Sequence, residues 1–245
     1  MTGLPRPEPR KESRRAPHRA RGLPVSALPT PPSRVEQVYD AIVDDICTGR
    51  LSPGTPLRQE HLAERFNVSR QPVQQALLLL RNQGLVREFG RRGLEVSPVD
   101  DDFVHHLYEL RAVLDGYAAR IAAERRSDDQ VQRLREIVES GREAFADRAY
   151  AHMISADVEF HRGVIEAAGN PLLLESAGVM WRSVQRVMGE VLLRGRAPAW
   201  IWQDHVAILD ALERRDGEAA ERLARRHAEH GEGLILDGLA DETGT

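Results

Sequence analysis

Asp157 and His161 stand four residues apart in the run DVEFH, and two further histidines, His205 and His227, lie in later stretches with the same apolar periodicity. Four residues make about one helical turn, so the carboxylate and the imidazole project from one face, the face that also carries Met153, Ile154 and Val164. His205 falls in line with Ile201, Ile208 and Leu209, and His227 with Leu223, Ala224 and Leu234. An ionisable group inside an apolar stripe is costly unless it is paired or bound to metal. Three neutral imidazoles and one carboxylate suit zinc, or nickel, manganese and other first-row divalent ions. A lone histidine on an apolar face is more often a core residue bonded to a carbonyl. Three of them with an Asp-x-x-x-His pair leave both readings, core packing and metal binding, open.

A second chemistry is written between Leu57 and Val96. The spacing predicts a helix from Gln59 to Phe66 with Leu62, Ala63 and Phe66 on one face, ended by Asn67 in the left-handed conformation. Val68 plugs the turn and Ser69 is an N-cap. Pro72 is tolerated in the first turn of a second helix, which buries Val73, Ala76, Leu77 and Leu80 and stops at Gly84. Leu85-Val86 and Leu94 to Val96 flank a basic, glycine-rich hairpin tip, Phe89-Gly90-Arg91-Arg92-Gly93. Helix, tight turn, helix and wing form a device that reads DNA, with the N-terminus of the second helix in the major groove. Arg70 and Gln71 then face base edges, with Gln74 one turn on. Arg58 is placed for a phosphate, Arg91 and Arg92 reach DNA from the wing, and Gly93 lets the backbone pass close.

Both constellations need elements to hold them. Ser33 to Glu36 is a capping box opening a helix with Val35, Val38, Ile42 and Ile46 inward, ending at Gly49. Before it, residues 1–32 are rich in proline and arginine and read as a disordered basic tail whose Arg14, Arg15, Arg19 and Arg21 are free to brush phosphates. After a linker at 98–102, helical periodicity takes over. Phe103, Leu107, Leu110, Leu114, Tyr117 and Ile121 form one stripe; Ser127 to Gln130 caps a helix through Val131, Leu134 and Ile137. Leu172 to Leu193 gives another, with Met180, Val184, Val187 and Val191 inward. The expected fold is mainly α: a winged helix-turn-helix at 33–97, an all-helical bundle of about six helices at 103–236 and a short tail at 237–245.

At 245 residues the chain has room for two modest cores. One cysteine, Cys47, at helix spacing with Val43, excludes a disulfide framework and reads as a small core residue. No apolar run approaches the roughly 20 residues of a membrane helix, and no signal-peptide region opens the chain, so a soluble cytoplasmic protein is expected. The net charge of -4 is uneven: residues 1–99 hold 16 Lys+Arg against 10 Asp+Glu, net +6, and residues 100–245 hold 18 against 28, net -10. A basic front and an acidic back suit a chain of which one part meets phosphate.

The run LAERFNVSRQPVQQAL, then QGLV and GRRGLEV, resembles the DNA-binding domain of the GntR family of bacterial transcriptional regulators. That family commonly has Arg-Glu after Pro-Val; here Gln74-Gln75 puts an amide, which prefers adenine edges, in place of a guanidinium. Residues 103–232 resemble the FCD effector domain of one GntR subfamily, through YELRAVLDGYAARIAAER, DVEFHRGVIEAAGNPLL and HVAILDALERRDGEAAERLARRH. The resemblance implies that Asp157, His161, His205 and His227 hold a divalent metal, zinc first, with His230 near the right face but off the family spacing. His105, His106 and His152 match no position and are left as surface or supporting residues. It implies that Arg111 meets an acidic effector, with Asp115 where a glutamate is usual, and Asn170 is expected to cap the end of its preceding helix. The expected protein is a homodimeric regulator rather than an enzyme, bound to an inverted-repeat DNA operator and controlled by a small organic acid at the metal. Repression relieved by ligand is the commoner family mode. The alternatives are a metal-free, acyl-CoA-sensing regulator and a metal-dependent hydrolase fused to a DNA-binding domain, which lacks a clear second carboxylate as general base.

Overall fold

The computed structural model describes residues 32–90, 93–192 and 197–243, with side chains to residue 240. The arginine-rich tail, Arg91, Arg92 and Leu193 lie outside the described residues. α1 (Arg34–Cys47) opens on the expected reciprocal cap: Ser33 Oγ accepts from the Glu36 amide at 3.2 Å, and the Glu36 carboxylate accepts from the Ser33 amide at 2.6 Å. α2 (Gln59–Phe66) ends where Asn67 turns left-handed at φ 51°, which an amide side chain tolerates better than a branched one. α3 (Arg70–Asn82) buries Val73, Ala76, Leu77 and Leu80. Ser69 stands at its N-cap, but the hydroxyl makes no capping bond.

The wing is an antiparallel hairpin of β1 (Val86–Phe89) and β2 (Gly93–Val96), paired Val86 with Val96 through Phe89 with Gly93. Leu85 is buried just before the first strand. The turn before α2 docks on β2, with the Gly54 amide donating to Val96 O at 2.9 Å and the Leu57 amide to Leu94 O at 2.7 Å. Gly93 has a local reason to be glycine: a Cβ there would meet the Phe89 carbonyl oxygen at 2.8 Å, so the hairpin itself demands it. One core, centred on Ile42, Val73, Leu77, Leu80, Leu85 and Val96, binds these elements together.

A second core is built by α4 (Asp101–Arg125), α5 (Asp128–Ala146), α6 (Tyr150–Ala167), α7 (Pro171–Leu192), α8 (Trp200–Glu213) and α9 (Gly217–Thr243). α4 starts inside the expected linker, and α9 runs on through Thr243, past the expected end of the bundle. α5 has its reciprocal cap between Ser127 and Gln130. Asn170 acts on the other side of the loop from the one expected. Its side chain accepts from the amides of Leu172 and Leu173 at 3.1 and 3.4 Å, capping the start of α7, while Gly169 at φ +65° closes α6.

α4 and α9 pack antiparallel and close: Gly116 lies against Arg225, Gly217 against Arg120 and Gly231 against Tyr108. The buried face of α4 is therefore made of small residues, Ala118, Ala119 and Ala122, together with Val104, Tyr108, Arg111 and Asp115. This corrects the stripe read through Leu110 and Tyr117, which are 49% and 47% exposed, with Val113 beside them at 51%. α4 is apolar on two faces, and the bulkier outer face dominated the periodicity while alanines marked the inner one.

Candidate metal centre and DNA-reading face

Three helices converge on one point in the bundle. α6 supplies Asp157 and His161, α8 His205 and α9 His227, all buried, and their donor atoms lie within 4.8 Å of one another. The three Nε2 atoms form a near-equilateral triangle: His161 to His227 at 3.3 Å, His205 to His161 at 3.2 Å, His205 to His227 at 3.2 Å. Asp157 Oδ1 lies 3.3 Å from His205 Nε2. An ion held at about 2.0–2.1 Å by each nitrogen sets them roughly 3.0–3.4 Å apart, so the residues fit a divalent metal. Neutral imidazoles with their lone pairs facing inward repel unless a cation lies among them. Asp157 Oδ2, fully buried, makes no hydrogen bond among the described residues, a costly state for a carboxylate without a cation.

Charge and burial prepare the donors. Burial holds His205 and His227 well below their usual range, His227 to about 3 with His205 adding to the effect, so both rings are neutral and able to bind metal. Burial alone would raise the Asp157 carboxyl, but its contacts with His205, His161 and Arg111 hold it below the ordinary value. Asp157 stays an anion.

A surrounding set of side chains packs against the rings, and sequence reasoning missed most of it. His161 Nδ1 faces Asp115 Oδ2 at 3.2 Å, so its N–H donates there and its Nε2 lone pair points into the cluster. Asp204 Oδ2 stands 3.6 Å from His227 Nδ1 and 3.1 Å from His230 Nδ1. His230, half-exposed, thus braces the carboxylate behind a donor rather than joining the donors. Trp181 on α7 stacks on His161 with centroids 4.5 Å apart, and Phe160 packs 4.5 Å from His205. Removing such outer partners commonly costs 10–100-fold in metal affinity. Asp204→Asn is expected to weaken zinc binding by about that factor, read by competition with a chromophoric chelator.

Arg111, 2% exposed, aims into the same cluster. Its Nη2 donates to His161 Nε2 at 3.0 Å, its Nε to Asp115 Oδ2 at 3.2 Å, and its guanidinium lies 4.6 Å from the Trp181 ring centre. Beside it a cavity of about 20 Å³, walled by Tyr108, Arg111, Trp200 and His227, has room for about one water. His105, His106 and His152 are exposed and do not belong to the cluster; His105 pairs with Glu232 at 2.7 Å.

At the other end of the molecule, Arg58, Arg70, Gln71 and Gln74 are exposed on α2 and α3, and Gly93 is exposed on the wing. Arg70 lies 3.2 Å from Glu60. The two ends touch through α7. The Arg182 guanidinium lies 5.6 Å from the Tyr39 ring centre of α1, the Cys47 thiol donates to Arg182 O at 3.6 Å, and Arg186, 1% exposed, donates to Ser97 O. Tyr39 in turn donates its hydroxyl to Gln83, the C-cap of α3.

Residues 34–96 match the family model described as bacterial regulatory proteins, gntR family, and residues 106–230 match the FCD domain. The uncharacterized HTH-type transcriptional regulator YdfH of Escherichia coli O6:H1 is 30% identical over 199 residues, covering 81% of this chain and 87% of that protein. The HTH-type transcriptional repressor NanR of Cronobacter sakazakii is 31% identical over 215 residues, covering 78% of this chain and 81% of that protein. Among solved structures, E. coli McbR/YncC superposes with a TM-score of 0.75 at 20% identity over 84% of this chain and 98% of its own. At that identity the likeness concerns the fold.

Proposed function

Because the chain belongs to the gntR family of bacterial regulatory proteins and carries an FCD domain behind its DNA-binding head, we propose that it is a repressor whose hold on an inverted-repeat operator is governed by a divalent metal ion and a small organic acid. The matched families and relatives are those of regulators, not enzymes. Among the described residues no helix is long and apolar enough to cross a membrane.

The observation that carries the sensing half is the triangle of imidazole nitrogens 3.2–3.3 Å apart with a buried carboxylate beside it. Asp157, His161, His205 and His227 would hold the ion, zinc being favoured by three nitrogens and one oxygen, with nickel or manganese also accommodated. The bound metal supplies an electrophilic position for the carboxylate of an effector. Arg111 supplies a buried guanidinium for a second, charge-assisted contact with that carboxylate. Asp115 aligns both Arg111 and His161, so one side chain sets the geometry of the pair.

The cavity of about 20 Å³ does not admit an organic acid. An acid that binds must favour a state in which the walls have moved, and it acts by its higher affinity for that state. Trp181 stacks on a donor, and the next residue, Arg182, bears on α1; displacement of α7 therefore reaches the reading head by direct contact.

The outer stripe of α4 supports the homodimer. Leu110, Val113 and Tyr117 form an exposed apolar row that burial against a second copy would remove from water. Leu110→Glu with Val113→Glu is expected to turn a dimer into a monomer in sedimentation velocity and to weaken binding to a two-half-site operator far more than binding to one half-site. A double variant that stays dimeric would move the interface elsewhere.

The reading as a whole is tested on protein purified without chelator or histidine tag. Elemental analysis is expected to give about one metal per chain, and fluorescence anisotropy a salt-sensitive preference for a palindromic fragment, relieved by a carboxylic acid. Absence of stoichiometric metal, with ligand response unchanged by His205→Ala, would favour the metal-free, acyl-CoA-type alternative.

A further inference from the structure

The outward face of α3 is unusually poor in charge for a helix that meets DNA. Opposite its buried residues lie Gln71, Gln75 and Leu78, flanked by Gln74, all exposed. The two arginines at its edges are engaged: Arg70 with Glu60 at 3.2 Å and Arg81 with Glu88 of the wing at 2.7 Å. None of the three glutamines makes a side-chain hydrogen bond among the described residues, so each amide presents both a donor and an acceptor outward. Leu78 is 49% exposed, four residues beyond Gln74 and seven beyond Gln71, on the same side of the helix.

We propose that this face selects A·T base pairs, with Leu78 as a specificity-determining residue that packs on a thymine methyl group beside an adenine held by Gln74. A glutamine amide matches adenine, its Nε2–H donating to N7 and its Oε1 accepting from N6–H in one plane; guanine offers two acceptors and suits an arginine instead. A leucine has nothing to offer a guanine or cytosine edge, whereas the C5-methyl of thymine is the one apolar feature in the major groove. Gln74 and Leu78, one turn apart, address neighbouring positions, so the core of each half-site is an adenine and a thymine rather than the guanine a guanidinium would choose. The inference rests on the DNA-reading role of α3 given above.

Selection of binding sites from random duplex with the full-length protein, followed by anisotropy on substituted duplexes, tests it. The selected half-sites are expected to carry an A·T core. Replacing the contacted thymine by uracil, which deletes only the methyl, is expected to weaken the wild type about fourfold and to leave Leu78→Ala unchanged. Gln74→Arg is expected to move the preference at its position to guanine by at least about fivefold. A selected core of G·C pairs, or a wild-type protein indifferent to uracil at every core thymine, would overturn the proposal. Failure to enrich any sequence over random duplex would instead remove the DNA-reading role itself, and the inference with it.

Discussion

Protein carrying His205→Ala is expected to leave purification without stoichiometric metal and to show no rise in melting temperature when zinc is added. His205 is fully buried and its Nε2 is within 3.3 Å of both other imidazole nitrogens and of Asp157, so no neighbour can take its place. An ion present at a thousand times its dissociation constant stabilises the folded state by about 4 kcal/mol. For a chain of this length that is a rise of about 8–16 °C in wild type. The variant also loses packing, which lowers its baseline; the measured quantity is the difference between zinc-loaded and chelator-stripped protein, which packing leaves alone. A variant that keeps the full zinc-dependent rise would place the ion elsewhere.

The stripped protein has its own pH dependence. His205 and His227 are held neutral by burial in the fold but return to an ordinary value near 6.5 when the chain unfolds, so below that pH the unfolded state binds more protons. Their contribution to stability is therefore fully present above pH 6.5 and is lost as pH falls toward the folded-state value of His227, about 3. Melting of stripped protein is expected to fall between pH 7.5 and 5.5, and zinc-loaded protein to fall more steeply as protons also displace the ion.

Arg111→Leu is expected to cost about 3–5 kcal/mol, or some 6–20 °C, because it leaves Asp115 as a buried anion without its guanidinium. The pair is 3.2 Å apart with side chains only 2% and 3% exposed, and Asp115 Oδ1 already lacks a hydrogen bond among the described residues. Removing both charges in Arg111→Leu/Asp115→Leu is expected to recover most of that loss, since a buried pair replaced by apolar residues is often neutral. The response to organic acids should stay absent in the double variant even at saturating zinc. Stability and sensing are thus separable. A double variant that is still released from its operator by the wild-type concentration of acid would show that Arg111 is not the carboxylate's partner.

The residues of the buried cluster were legible because each repeats the period of its own helix: Asp157 and His161 by one turn, His205 and His227 by alignment with leucines and isoleucines. Their convergence was not, since residue patterns say which face a side chain occupies but not which faces meet. Asp204 escaped notice for a related reason. Next to His205, it reads as the solvent side of α8, and only the approach of α9 gives it a task. Asp115 did leave a trace, four residues after Arg111 in a row of alanines, but an alanine row registers weakly beside Leu110 and Tyr117. In the head, Asn67, the buried face of α3 and the wing followed from local stereochemistry, which operates over a few residues and so is visible in them. Asn170 shows the limit: an amide between two helices can serve either, and Pro171 at the start of α7 settles the choice by leaving the next two amides to be satisfied.

Cys47 offers a way to watch this protein at work. It is the single cysteine in the chain, buried where α1 meets α7, and burial pushes its thiol up to about 11. Few thiolates exist there for an alkylating reagent to attack. The pace at which native protein takes up such a label thus clocks how often α1 parts from α7, and an inducer that works by prying the two apart must quicken it.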